Sequence, residues 1–272
     1  MSRRIGSLSA VGIGIRAPAQ VTLEASSRIE WADKVFTIVT DPLAQYWVQG
    51  LNGNTESLVG YYVAGKERCE TYHEMVERIV ASVRENLRVC VVSYGHPGIV
   101  AYPLHEAVRR VRDEGFPAEM LAGVSAEDCL FAELGVDPAT AGWRSYEATD
   151  FLVYHRGADP ASNLVLWQIG GIAISKHMRE ADAWNREGLV VLTEALLETY
   201  RPEHEVVVYE AARLPLCKSA IERVVLERLP YAGVRALSTL YVPPMTNPTV
   251  DERMMCRLGI SLPTKAPPAE FE

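Results

Sequence analysis

Apolar and polar positions alternate with two different periods along the first 120 residues. Short runs rich in β-branched residues, SLSAVGIG (7–14), VFTIVT (35–40) and RVCVVSY (88–94), predict strands. Between them VTLEASSRIEWADK (21–34), TYHEMVERIVASVREN (71–86) and YPLHEAVRRVRDEG (102–115) carry the spacing of amphipathic helices. This order predicts βαβ units around a mostly parallel sheet, a doubly wound α/β lobe over residues 1–121. The pattern then restarts. NLVLWQIG (163–170), HEVVVYEAA (204–212) and VRALSTLYVPP (234–244) predict strands, and LVVLTEALLETY (189–200) and KSAIERVVLERL (218–229) predict helices, so a second α/β lobe is expected over 122–246. Residues 247–272 are expected to be a short tail, ending in the Pro-rich and core-poor SLPTKAPPAEFE.

Composition narrows the classes. A chain of 272 residues with 48% apolar content can bury a substantial core. Its net charge of −8, without a compensating Lys/Arg run, argues against a nucleic-acid partner. No apolar run reaches the roughly 18 to 20 residues that span a bilayer, and MSRRIGSLSAVGIG lacks the apolar core of a secretory signal, so a cytoplasmic protein is expected. Cys69, Cys90, Cys129, Cys217 and Cys256 are scattered without CxxC spacing, which predicts reduced, mostly packing thiols; the histidines and carboxylates show no metal-ligand spacing.

Several stretches have more than a structural use. Gly12 and Gly14 in AVGIGIRAPAQVT end a strand before a helix that Thr22 can cap; they suit either a tight turn or the close approach of backbone to a ligand. SYGHPGIVAYP (93–103) follows a strand, where open α/β sheets bind ligands, and its Gly and Pro residues hold an irregular backbone. In AGVSAEDCLFAELG (122–135) Ser125 can cap a helix with Asp128 in its first turn. Gln168 near a strand end can pair with a polar ligand edge or serve the fold.

Taken in order, YGHPG (94–98), AGVSAEDCLFAELGVDP (122–138), SYEATDFL (145–152), QIG (168–170) and LSTLYVPP (237–244) resemble the tetrapyrrole-methylase-like class of S-adenosylmethionine methyltransferases. GYYVAGKERCETYHEM (60–75) resembles, within that class, the borosin peptide backbone α-N-methyltransferases, which methylate amides of a ribosomal precursor peptide. The resemblance covers roughly residues 6 to 245. It implies a two-lobed tetrapyrrole-methylase-like α/β fold, with a parallel N-terminal lobe, a mixed-sheet C-terminal lobe, S-adenosylmethionine in the cleft between them, and a homodimer. The cofactor contacts it implies are Tyr94, His96, Ile99, Val100, Ser125, Ala126, Gln168, Ala211, Ala212, Ser238 and Thr239.

The resemblance also gives the tyrosine-rich segment a chemistry. An amide nitrogen is a poor nucleophile because its lone pair is delocalised into the carbonyl. Arg68 and Tyr72, four apart at a helix start, share a face. The guanidinium is expected to lower the phenol pKa and to stabilise charge on an amide oxygen, with Tyr62 nearest the amide proton and the two phenols interchangeable. Where relatives carry a further tyrosine this chain has Val59 and Gly60, leaving Tyr61 as the substitute. Fused relatives carry a long extension with a core peptide; this sequence stops at Glu272, and a split enzyme acting on a separate precursor is expected. Rival readings are a small-molecule or tetrapyrrole C-methyltransferase and a non-catalytic cofactor-binding module.

Overall fold

A computed structural model describes residues 5–177, 184–214 and 216–261. Its first half is built on β1 (Ser7–Gly12), β2 (Lys34–Ile38), β3 (Thr55–Ser57), β4 (Arg88–Ser93) and β5 (Ala118–Met120), all parallel, in the order β3-β2-β4-β1-β5. Both faces are covered, which is why RVCVV reads as a continuous apolar run rather than an alternating one. Leu8, Ala10, Phe36, Val89 and Val91 pack against α3 (Arg68–Arg84) and α4 (Tyr102–Asp113). Their neighbours Val11, Val35, Cys90 and Val92 face the other way, onto α1 (Leu23–Trp31) and α2 (Pro42–Leu51). Thr22 caps α1 as expected, accepting from the Ala25 amide.

The second half holds α5 (Ala126–Leu134), α6 (Pro138–Ala141), β6 (Trp143–Glu147), α7 (Ala148–Val153), β7 (Asn163–Trp167), α8 (Arg186–Leu197), β8 (Glu205–Glu210), β9 (Ala220–Val225) and β10 (Thr239–Val242). Its strands order as β6-β7-β10-β8-β9, with β6 and β7 parallel and the other pairs antiparallel. The parallel sheet and the mixed sheet are those of the expected α/β architecture. Leu164, Leu166, Val206, Val208 and Leu240 pack on Leu189, Leu192 and Leu196 of α8. The opposite face, with Val165, Trp167, Val207 and Tyr209, packs on Cys129 and Leu130 of α5 and on Ile15 just past β1. That second layer joins the two sheets and brings the carboxyl ends of β1, β4, β7 and β8 toward one another.

One predicted element is corrected. KSAIERVVLERL forms the edge strand β9 and a 3-10 turn, Leu226–Tyr231, in place of a helix. Its register against β8 pairs Val206 with Val224 and Val208 with Glu222, and this ladder outweighs the helical spacing. The thiols also depart from expectation: Cys90 and Cys129 are core residues, while Cys69, Cys217 and Cys256 are exposed. A short helix, α9 (Glu252–Leu258), lies within the stretch expected as tail, and residues 262–272 fall outside the described residues. Among the described residues no helix is long and apolar enough to cross a membrane.

Candidate functional site

The loops after β1 and β4 are locked to each other. Gly95 donates its amide to the Gly14 carbonyl at 3.0 Å, and a Cβ placed on Gly12 would stand 2.1 Å from the Gly95 carbonyl oxygen. At Gly12 what approaches closely is the backbone of the Gly95 loop. Beyond it, His96 Nδ1 accepts from the Gly98 amide at 2.9 Å, and the His105 ring meets the Gly98 carbonyl at 2.9 Å. The His96 imidazole therefore holds the loop's shape with one nitrogen and has only Nε2 free for other work. Ser125 and Asp128 form a reciprocal capping box at the start of α5.

Two adjoining cavities open at these strand ends. The inner one, about 250 Å³, is walled by apolar side chains including Ile15, Ile38, Leu104 and Trp167. Tyr94, His96, Ile99, Val100, Ser125, Ala126, Gln168, Ala211 and Thr239 all line it, together with Tyr62 and Tyr72. The outer one, about 660 Å³, takes in Arg68, Tyr102, Glu147 and Ser175, and shares Tyr72, Val100, Ala101 and Gln168 with the inner one. Ala212 and Ser238 line neither: the Ala212 amide donates to Ser219 Oγ, and Ser238 Oγ accepts from the Arg235 amide. Tyr61 also lies outside both cavities and packs against the core beneath α3.

The shared wall is strained. Of the five described non-glycine residues with positive φ, Val100 (50°), Gln168 (57°) and Ala173 (58°) line the cavities. Left-handed backbone is uncommon for any side chain and a true outlier for a β-branched one. Such strain persists only where its surroundings enforce it, and it concentrates at functional sites.

The tyrosine-arginine segment approaches this wall from the first half. Arg68 is the first residue of α3, and its amide donates to the Ser175 carbonyl at 2.9 Å; the Gly65 amide and the His177 carbonyl pair at 2.9 Å, and Glu67 bridges Lys176. These contacts tie the segment to the chain that follows β7. Arg68 adds a cation where the helix already presents positive partial charge. Among the described residues no carboxylate pairs with it.

The phenols do not titrate as the sequence suggested. Burial raises Tyr62 to about 12, Tyr72 pushes it the same way, and Arg68 pulls it down by less. Burial likewise raises Tyr72 against the pull of Arg68. The expected lowering by the guanidinium is present but smaller than desolvation, so both phenols rest neutral. Sequence reasoning passed over Trp167, Glu210, Arg213 and His177. Trp167 and Glu210 directly precede Gln168 and Ala211, yet only the folded sheet aims them at the cavity.

The fold recurs among solved protein structures. The fold is similar to that of uroporphyrin-III-C-methyltransferase from Thermus thermophilus, with a TM-score of 0.63 at 22% identity, over 88% of this chain and 92% of that one. The chain belongs to the tetrapyrrole (corrin/porphyrin) methylases, whose family model matches residues 7–230. It is 38% identical, over 99% of its length, to the methyltransferase/ribosomally synthesized cyclic peptide gymnopeptides precursor of Gymnopus fusipes, covering 64% of that protein. It is 42% identical, over 89% of its length, to the corresponding omphalotin A precursor of Omphalotus olearius, covering 58% of it. The chain thus spans less than two thirds of the length of these relatives.

Proposed function

We propose that this protein transfers methyl groups from S-adenosylmethionine to backbone amide nitrogens of a ribosomally made peptide. The observation that carries the reading is the placement of Tyr62 and Tyr72 on a mostly apolar cavity, with Arg68 lining the wider cavity that shares Tyr72 with it. The inner lining suits the donor: apolar walls for an adenosine, polar Ser93, Gln168 and Thr239, and one carboxylate and one guanidinium, Glu210 and Arg213. S-adenosylmethionine supplies an electrophilic methyl group when bound.

The residues of the chain have to make an amide nitrogen nucleophilic. Tyr72, neutral at rest, donates its hydroxyl proton as a hydrogen bond to the amide oxygen. Arg68, backed by the positive end of α3, stabilises the charge that grows there. Tyr62 takes the proton from the amide nitrogen, and does so as the phenolate. At pH ~8 a group with pKa near 12 is ionised in about one molecule in 10⁴, which costs about 5.5 kcal/mol. The phenolate so formed is correspondingly basic. Val100 and Gln168, on the wall between the cavities, keep the two reactants in line.

The proposal extends to a homodimer, and with it a complex of two enzyme and two peptide chains, on the strength of the resemblance; a cytoplasmic location and a precursor peptide encoded as a separate chain are further parts of it. The matched relatives carry methyltransferase and precursor in one named polypeptide. The test is co-expression with small proteins encoded beside the gene, followed by intact-mass and fragmentation spectra. Methyl-sized increments on backbone amides that vanish in Tyr72→Phe support the reading. Undiminished methylation by Tyr72→Phe overturns the role given to that phenol, and methylation of a tetrapyrrole alone overturns the substrate.

A further inference from the structure

The mixed sheet ends on a bare strand. β9 is outermost in the order β6-β7-β10-β8-β9, it is six residues long, and all of it except Val224 is exposed. The outer strands of the parallel sheet, β3 and β5, have three residues each, and β6, at the other edge of the mixed sheet, is partly covered. The Leu226 amide donates to the His204 carbonyl at 2.9 Å, and Val224 and Glu222 stand opposite Val206 and Val208. By alternation Ala220, Glu222 and Val224 direct their main-chain groups at β8, whereas Ile221, Arg223 and Val225 turn theirs outward. Among the described residues those outward groups have no hydrogen-bond partner. An uncovered edge of this length, without proline, lysine or bulge, is a template for another strand.

The outward row is symmetric about Arg223. A two-fold axis through that residue sets Arg223 opposite Arg223 of the partner subunit, and Ile221 opposite Val225 of the partner subunit. Every outward N–H and C=O of the three residues then meets its complement. Ile221 and Val225, 43% and 37% exposed, gain β-branched cross-strand neighbours. Facing guanidiniums repel, but Arg223 is paired with Glu205 at 2.9 Å, so the charges gathered at the axis balance. A foreign peptide has no need of such a palindrome, whereas a strand that pairs with its own copy does. We infer that β9 pairs with β9 of a second copy of this chain, antiparallel and in register about Arg223, joining two mixed sheets into one. Such an isologous contact closes on itself and leaves no β9 edge for a third chain. It also anchors the β8–β9 hairpin, whose loop carries Ala211 and Arg213 to the inner cavity. The inference rests on the homodimer of the proposed function and goes beyond it by naming the surface.

The test is the mass of the full chain in solution, read by light scattering over a range of concentrations, together with variants of the edge. Ile221→Lys combined with Val225→Lys sets lysines opposite one another across the axis and should weaken self-association by about ten-fold or more. Circular dichroism checks that this variant is folded. Arg223→Cys places a thiol opposite its own copy, at the roughly 5.5 Å Cα separation of a hydrogen-bonded pair, where a disulfide can close. Mild oxidation should then give a covalent dimer above the background set by the exposed Cys69, Cys217 and Cys256 of the unchanged protein. Glu222→Cys, opposite Val224 of the partner subunit, should stay at that background. If the lysine variant fails to fold, the oxidation result decides alone. A dimer that survives the lysines, or oxidation at 223 no greater than at 222, overturns the pairing and leaves the homodimer to another surface. An unchanged protein that is monomeric at every concentration removes the homodimer itself and this inference with it.

Discussion

The ring of Tyr62 meets the ring of His177 edge-on, with centroids 4.4 Å apart. His177 Nε2 is buried there with no hydrogen-bond partner, and burial first, then the charges of Arg68 and Lys66, hold the imidazole below its ordinary pKa. The unfolded chain therefore binds a proton that the folded one resists. Stability owed to this group is complete above about pH 6.5 and is lost as pH falls through the depressed folded value. His177→Phe keeps a ring against Tyr62 and removes the titration. Thermal unfolding followed from pH ~7.5 to ~5.5 should show the natural protein losing Tm faster than the variant; parallel curves would contradict the coupling.

Tyr62 makes a second pH dependence of opposite use. Its pKa of about 12 means that the phenolate fraction grows about ten-fold for each pH unit up to that value. If Tyr62 takes the amide proton, kcat/KM should climb with pH from ~7 to ~10 without levelling, and the climb should be absent in Tyr62→Phe. A plateau reached by pH ~9 would mean a phenol with a lowered pKa, the behaviour the sequence alone suggested and burial opposes.

What was legible in the sequence follows from which forces are local. The apolar runs of β1, β2 and β4 and the helical spacing of α4 announce themselves because burial sets the period of each element directly. Asp41 and Pro42 carry a start signal for α2, with Asp41 accepting from the Ala44 amide, and this helix lies outside the elements expected from the apolar spacing. The three-residue strands β3 and β5 have too few positions to show a period. Residues 218–229 carry helical spacing yet join β8, because an edge strand is chosen by its neighbour's open ladder. The site shows the same division. Ser125 acts through Asp128, three residues on, whereas the approach of the Gly95 loop to Gly12, the left-handed backbone at Val100 and the phenol shifts are consequences of the three-dimensional fold.

Close approach at Gly12 gives a contrast with Gly60 that separates packing from composition. Gly12→Ala would place its Cβ 2.1 Å from a backbone oxygen of Gly95, whereas Gly60→Ala meets nothing within 4 Å. The first should cost about 1–3 kcal/mol or more and shift the 93–98 loop, weakening S-adenosylhomocysteine. The second should stay within about 0.5 kcal/mol. Denaturant midpoints and calorimetry on both variants check this, and a neutral Gly12→Ala would show that the two loops are free to part.

Val100 sits at φ 50° with 54% of its surface exposed, so it carries the strain of a left-handed backbone while burying little. Glycine adopts that conformation without the Cβ clash, at an entropic cost of about 0.5–1 kcal/mol set against about 1–3 kcal/mol of relieved strain. Val100→Gly should therefore stabilise the fold by about 1 kcal/mol, read as a higher urea midpoint at unchanged slope. The same change removes a side chain from the wall shared by both cavities, so S-adenosylhomocysteine should bind more weakly to the more stable protein. Gains in stability and losses in binding that appear together would show that the strained residue serves the site at the expense of the fold. A less stable Val100→Gly would show instead that the loop holds this conformation without strain to relieve.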